Sequence, residues 1–391
     1  MNLSFDNTEL AFAHKSNRDL KKAYRLFQTF SYSLLVKYGP AVANIALALK
    51  LPIKGLIKST IFHQFCGGET INDSSKSALQ LHESGIGAIL DYSVEGEGNE
   101  EDFLNSFDEL QKVIAEAASK PEYPFAVFKC TGIGSFSLLN KKSENQILSK
   151  EEEKHYFDFE SRVRTLCSLA FDNGVKILID AEETWIQKAI DDIVYTAMKS
   201  FNKNEAIVYN TLQMYRKGRI NEIQTQIENV RIGGYKIGLK LVRGAYMEKE
   251  SDRASELGYP NPIQERKSDT DKDYDAALKL CFENRDIVNI MAGTHNEISS
   301  YLLASLIEKN DIDPSDGRFW FAQLYGMSDN ISFNLAKAGF NVAKYLPYGP
   351  VREVLPYLSR RAQENSSVKG QAGRELSLIQ KEIKRRKKLS N

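Results

Sequence analysis

Eight short runs rich in β-branched and aromatic residues, each followed by helical periodicity, constrain this chain more than any other feature. They are Gly87 to Val94, Pro124 to Thr131, Val175 to Asp180, Ala206 to Gln213, Tyr235 to Arg243, Val288 to Thr294, Phe319 to Leu324 and Asn341 to Leu346. Helical patterns such as Asp158 to Asn173, Thr184 to Ser200, Asp273 to Glu283 and Ile298 to Lys309 lie between them. Eight β–α units in 391 residues predict a (β/α)8 barrel of the TIM type. A doubly wound sheet has the same alternation, and a strand count does not show closure. The barrel is expected over residues 81–375, with an N-terminal helical appendage over 1–80 and a basic tail over 376–391.

Polar residues collect where these strands end. Asp91 and Glu95 mark the first, Lys129 the second, Asp180 and Glu182 the third, Gln213 the fourth. Lys240 and Arg243 end the fifth, Thr294-His295-Asn296 the sixth, and Tyr345 lies in the eighth. In (β/α)8 barrels the reaction site lies at that face. After the eighth strand and Gly349-Pro350, a helix-start signal, comes Tyr357-Leu-Ser-Arg-Arg-Ala-Gln-Glu-Asn365. Tyr357, Arg360, Arg361 and Glu364 fall on one helical face. Two adjacent guanidinium groups repel, and an anion between them relieves this, as a bidentate clamp on a carboxylate does. Taken alone, the segment reads more simply as a solvated face with an Arg–Glu pair at i,i+3.

Net charge is zero, from 52 basic and 52 acidic residues, which argues against a general nucleic-acid binder. The four cysteines are widely spaced, as in a reducing compartment. Met1 to Leu20 mixes acidic and basic residues, unlike a secretory signal or an acid-poor transit peptide. A cytoplasmic location is therefore expected, at the inner face of a membrane if one is involved. The most apolar stretch, Ala41 to Ile57, is too short and too interrupted to span a bilayer. Ser135 to Glu153, rich in Lys, Glu, Ser and Asn, reads as a surface excursion and a candidate lid. Gly132-Ile-Gly134 and Gly85-Ile-Gly87 do not complete a GxGxxG fingerprint. The five histidines never pair at zinc spacing, so no protein-ligated metal is expected. No GxSxG is present.

The ordered motifs resemble one family, proline dehydrogenase, over roughly residues 60–370. Ile89-Leu-Asp-Tyr-Ser-Val-Glu95, Ile179-Asp-Ala-Glu-Glu183, Tyr209-Asn-Thr-Leu-Gln213 and Lys240-Leu-Val-Arg-Gly-Ala-Tyr246 carry the resemblance. Lys267-Ser-Asp-Thr-Asp-Lys-Asp-Tyr274, Gly293-Thr-His-Asn296, Leu324-Tyr-Gly-Met327, Tyr345 and the Tyr357 to Asn365 segment continue it. The wording, including Phe65-Cys-Gly-Gly-Glu69, is similar to the eukaryotic-type, monofunctional branch. Lys240 stands where many bacterial members have arginine, and Met247 where some have an aromatic residue.

The resemblance implies an FAD-dependent oxidation of L-proline to Δ1-pyrroline-5-carboxylate, the first step of proline catabolism. Arg360 and Arg361 would clamp the substrate carboxylate, with Asp91 and Glu95 as ion-pair partners closing a gate. Lys129 would contact substrate near the flavin, and Tyr345, Tyr246, Leu324 and Tyr357 would line the pocket. Lys129, Asp180 and Lys240 are the implied catalytic set. Asp180, Ala181, Gln213, Lys240, Val242, Arg243, Gly244, Ala245, Thr270, Thr294, His295, Asn296 and Glu364 would hold FAD. Each has a structural alternative: Asp180 as a helix cap, Gln213 bonded to buried backbone, Thr270-Asp271 capping the following helix, Tyr345 as core.

A membrane quinone is the implied electron acceptor. Peripheral membrane contact would then run through the N-terminal apolar helices or the basic tail. The rival readings are a hydroxyproline dehydrogenase, disfavoured by the bulk of Tyr345, and a non-catalytic ligand-binding barrel.

Overall fold

The computed structural model describes residues 3–49, 51–93, 98–367 and 371–389. Eight parallel strands follow one another around a closed barrel in chain order. They are β1 Ile86–Tyr92, β2 Phe125–Lys129, β3 Lys176–Asp180, β4 Val208–Gln213, β5 Ile237–Val242, β6 Val288–Gly293, β7 Phe319–Leu324 and β8 Val342–Tyr348. Closure, which the strand count left open, is made by β1 pairing with β8 from Ile86 opposite Val342 to Tyr92 opposite Tyr348. Strands covered on both faces read as nearly continuous apolar runs. All six residues of β4 and all seven of β8 are buried.

The chain divides into two compact units, residues 1–95 with 323–391, and residues 96–322. In the first, the helices Asn17–Thr29 and Ser33–Ala48 share one core with Leu355–Ser367 and Gln371–Leu389. Phe27, Phe30 and Phe65 meet at its centre with ring separations of 5.6–6.2 Å, Phe27 edge-on to the other two. The helices expected as an N-terminal appendage are thus joined to the C-terminal ones. The basic segment expected to begin a tail at 376 lies inside the Gln371–Leu389 helix. Leu378 and Ile379 are buried there, and the fully buried Glu382 accepts from Arg385 and Arg386 at 2.8 and 2.7 Å. Of the cations that suggested a solvated end, Lys384, Lys387 and Lys388 lie on the outer face of an amphipathic helix, while Arg386 reaches the Phe12 and Lys15 carbonyls.

In the second unit, Phe125 meets Tyr209 and Trp320 edge-on, with centroids 5.5 and 5.1 Å apart. Gly238 on β5 makes room for this packing, since a Cβ there would lie 2.4 Å from the Tyr209 ring. The Ser135 to Glu153 segment, expected as a surface excursion and candidate lid, is mostly helical. It contains the helix Phe136–Ser143, with Leu138 and Leu139 buried, and the start of Lys150–Asp172. Ser149 and Glu152 close a reciprocal capping box at that start. The Lys and Glu content that read as loop forms the outer face and the first-turn acids of these helices.

Candidate active site

Each unit carries its own group of strand-end residues. In the second, Lys129 closes β2 opposite Asp180, which closes β3. Asp180 is ion-paired to Lys240 of β5, a lysine only 4% exposed. A lysine that deeply placed needs a counter-charge, and Asp180 supplies it. Gln213 at the end of β4 is buried and fully engaged. Its Nε2 donates to the Glu182 carbonyl at 2.7 Å, and its Oε1 accepts from the Ala245 backbone N–H at 3.1 Å. It therefore ties the loops after β3 and β5.

Glu182 is the residue that the motif reading passed over. Its buried carboxylate accepts from the Thr131 backbone N–H at 3.0 Å and from the Thr131 hydroxyl. Burial pushes its carboxyl up to about 7, against the lowering effect of Thr131 and of the nearby Lys129 charge. Glu182 and Gln213 together lock the ends of β2, β3, β4 and β5. Its place after the third strand was visible as polarity, but its acceptor role depends on a partner 51 residues away.

Arg243 follows β5 and is spread over three partners. Nε donates to Asp271 Oδ1 at 2.6 Å, Nη1 to Thr294 Oγ1 at 2.6 Å and Nη2 to Ser299 Oγ at 3.0 Å. The guanidinium also lies over the Tyr274 ring at 4.4 Å. Burial raises the Asp271 carboxyl, but bonds from Lys267 and Arg243 outweigh it and hold it low. The neighbouring Thr270 hydroxyl is buried with no hydrogen-bond partner. Gly244 has φ +136°, and a Cβ there would sit 2.5 Å from the Tyr215 ring, so only glycine fits. Asn296 caps the helix Glu297–Lys309, accepting from the N–H groups of Ile298 and Ser299 at 2.9 and 3.1 Å. Ala181 is buried, whereas Val242, Tyr246 and His295 are half-buried.

In the first unit, Asp91 near the end of β1 is buried and accepts from Ser93 Oγ at 2.9 Å. Glu95 lies outside the described residues. Tyr345 is buried in β8 beside Ile89 of β1. Leu324 is partly buried against the core that contains Tyr357. On the Leu355–Ser367 helix, Arg361 is 6% exposed. Its Nη2 donates to Glu364 Oε1 at 2.7 Å, and its guanidinium lies 5.0 Å from the Tyr357 ring centroid. Arg361 Nε and the Tyr357 hydroxyl are both buried without a hydrogen-bond partner. Burial raises the Tyr357 phenol far above its usual range, despite the opposing Arg361 charge. The i,i+3 Arg–Glu pair of the simpler reading is therefore present, but on a buried face rather than a solvated one. Arg360, next to it, is half-buried.

A family model described as proline dehydrogenase matches residues 74–374. Mitochondrial proline dehydrogenase 1 of Dictyostelium discoideum is 32% identical over 430 residues, covering 98% of this chain and 75% of its own length. The Caenorhabditis elegans protein of the same name is 42% identical over 261 residues, covering 64% of this chain and 42% of its own. Proline utilization A from Bdellovibrio bacteriovorus superimposes with a TM-score of 0.72 at 18% identity, over 93% of this chain and 39% of that one. At that identity the likeness is one of fold.

The expected cytoplasmic location does not stand. The relatives from Dictyostelium and Caenorhabditis, and those from Arabidopsis thaliana and human, are named mitochondrial. The expectation rested on a mixed-charge N-terminal stretch and on cysteines read as reduced. All four are indeed free and buried. Reduced thiols do not separate one reducing compartment from another.

Proposed function

From the premise that this chain belongs to the proline dehydrogenase family, we propose that it oxidises L-proline to Δ1-pyrroline-5-carboxylate with FAD as its cofactor and a membrane quinone as electron acceptor. One observation carries the substrate assignment. Arg361 is buried, and its Nε has no protein acceptor, beside a Tyr357 hydroxyl in the same condition. Leaving such groups unmet in the interior costs about 1–3 kcal/mol each. A substrate carboxylate meets both demands.

Glu364 takes one edge of the Arg361 guanidinium and leaves Nε for the substrate. Arg360 supplies the second cation of the clamp. Asp91 and Glu95 belong to the gate. Tyr345, Leu324, Tyr246 and Tyr357 exclude water and hold the pyrrolidine ring, and Lys129 contacts the substrate. Positioning of this kind is the protein's main contribution when a cofactor carries the redox chemistry.

The second unit's residues fit a flavin nucleotide. Thr270 offers an unmet buried hydroxyl in the first turn of the helix Lys267–Glu283. Arg266, at the N-cap of that helix, gives no side-chain cap, and such ends suit phosphate. Gly244 lets backbone approach closely. Held there, FAD would supply the two-electron oxidising capacity for removing a hydride from the ring methylene next to the proline nitrogen. Arg243, Thr294, His295 and Asn296 are assigned to its phosphates and ribose. Ala181, Gln213, Val242 and Ala245 form the surrounding wall. The Lys240 cation, held by Asp180, would place positive charge beside the flavin ring.

The test is an anaerobic spectrum of the flavin-loaded protein with L-proline added. Bleaching of the flavin absorbance is expected. Arg361→Ala should keep its flavin while KM for proline rises by about 30-fold or more, from the loss of charge-assisted hydrogen bonds. A flavin that no proline analogue reduces, or an unchanged KM, overturns the assignment.

A further inference from the structure

The loop from Tyr325 to Ser328 joins Leu324, at the end of β7, to the helix Asp329–Lys337. Each of its four residues is tied through its backbone to a different part of the first unit. The Tyr325 N–H donates to the Tyr345 carbonyl at 2.8 Å, and the Gly326 carbonyl accepts from Gln64 Nε2 at 2.7 Å. The Met327 carbonyl accepts from Lys344 Nζ at 2.7 Å, and the Ser328 N–H donates to Glu375 Oε1 at 2.5 Å. Connecting segments usually run over the surface and are the mobile part of a fold. This one is held like core, with Met327 and Ser328 both buried.

The loop also needs holding. Gly326 and Ser328 have φ +77° and +51°, both in the left-handed region. Serine populates that region sparsely, and such conformations persist where the surroundings over-determine them. Ser328 is the N-cap of the Asp329–Lys337 helix, and its side chain makes no capping bond. In a capping box the third helical residue is a Glu or Gln that reaches back to the N-cap N–H. Here that position is Ile331. Glu375 supplies the missing carboxylate from 47 residues away, on the Gln371–Leu389 helix, with its negative charge at the helix start that favours it.

Two ends of this construction meet the pocket. Leu324 begins the loop, and Tyr345 accepts from it; both are assigned above to the substrate ring. Glu375 itself lies just past residues 74–374, the stretch that the family model matches. We propose that Glu375 is a positioning residue for the substrate pocket: by holding the Ser328 N–H it fixes the Tyr325–Ser328 loop, and through that loop the Leu324 wall. The inference rests on the proposed function and deepens it. A pocket wall displaced by a fraction of an ångström orients a small ring poorly, which is why supporting contacts matter to binding.

The experiment compares Glu375→Leu, which removes the acceptor at similar volume, with Glu375→Gln, which removes the charge and keeps an oxygen. Each flavin-loaded protein is mixed anaerobically with L-proline. Glu375→Leu should raise the half-saturating proline concentration about fivefold and change the limiting bleaching rate less than about twofold. Glu375→Gln should match the wild type. Hydrogen exchange of the 324–328 amides should be about tenfold faster in Glu375→Leu and unchanged in Glu375→Gln. Should Glu375→Leu not fold, Glu375→Ala makes the same comparison. A role confined to seating the Gln371–Leu389 helix would lower the melting temperature of the leucine variant and leave half-saturation unchanged. That result beside normal bleaching, or a glutamine variant as impaired as the leucine one, overturns this inference alone. Proline that bleaches none of the proteins overturns the proposed function, and this inference with it.

Discussion

Replacing Glu375 with glutamine should make the protein more stable at pH 8 and change its stability much less near pH 5. Glu375 lies on the Gln371–Leu389 helix, is 7% exposed, and accepts from the Ser328 backbone N–H at 2.5 Å. The charged groups acting on it are Asp329, Lys344 and Lys15. Burial pushes its carboxyl up from 4.5 to about 7. The Asp329 charge adds to this, and Ser328, Lys344 and Lys15 oppose it. Between those values the folded chain holds a proton that the unfolded chain has released. Stability therefore falls as pH rises through this window, and the loss is complete above it. The separation corresponds to about 3 kcal/mol at most.

Glutamine stays neutral throughout and keeps an oxygen for Ser328. Unfolding entropy of about 2.1 cal/mol/K per residue over 391 residues makes 3 kcal/mol worth about 4 °C. The assay is thermal melting of both proteins from pH 5 to 8 at fixed ionic strength. His14, near Asp329 and stacked on Phe333 at 4.2 Å, has its imidazole lowered to about 4, mainly by burial. It gives the opposite slope below 6.5, since the unfolded chain there binds the extra proton. That slope is common to both proteins and cancels in the difference. A variant less stable than wild type at pH 8, or a difference that does not change with pH, would refute the reasoning.

Asp329 sits between Lys344 at 2.7 Å and Lys15 at 3.0 Å, and the Lys344 side chain is fully buried. Asp329→Ala should cost about 3–5 kcal/mol by stranding Lys344, a drop of about 4–6 °C in Tm. Asp329→Leu combined with Lys344→Met should recover much of it. Gly326 has φ +77°, and a Cβ there would lie 1.9 Å from the Gln64 carbonyl oxygen, whereas Gly85 has φ +73° and open space. Gly326→Ala should therefore destabilise by more than about 2 kcal/mol and Gly85→Ala by about 1, read as denaturation midpoints. Arg361→Lys should raise KM for proline nearly as much as Arg361→Ala, because an ammonium does not reproduce the planar fork; full rescue by lysine would count against the clamp.

The barrel was legible because each strand is a short apolar run buried on both faces. Phe319–Leu324 was placed to the residue, and the other seven to within two residues at each end. The buried charge cluster was not legible. Lys344 lies in a run that reads as apolar strand, and its counter-ion Asp329 begins the preceding helix, with nothing in the spacing to couple them. The Phe136–Ser143 helix was hidden by composition, since a short helix with one buried edge is mostly polar.

At the candidate site the strand-end positions were legible in the sequence, but not the bonds between them. Asp180 and Lys240 were each read as facing a cofactor, and the structure pairs them with each other across 60 residues. Barrel geometry supplies the reason. Side chains that point inward form layers contributed by alternate strands, so β3 meets β5 rather than β4. Asp180 and Lys240 belong to one such layer, while β4 between them adds Gln213, which bonds to the loops on either side. A strand-end residue in a barrel thus has two calls on it, from the neighbouring loops and from the contents of the mouth. Sequence shows which residues stand there. Only the closed sheet shows which are already engaged, as Gln213 is, and which keep an unmet polar atom, as Thr270 and Arg361 do.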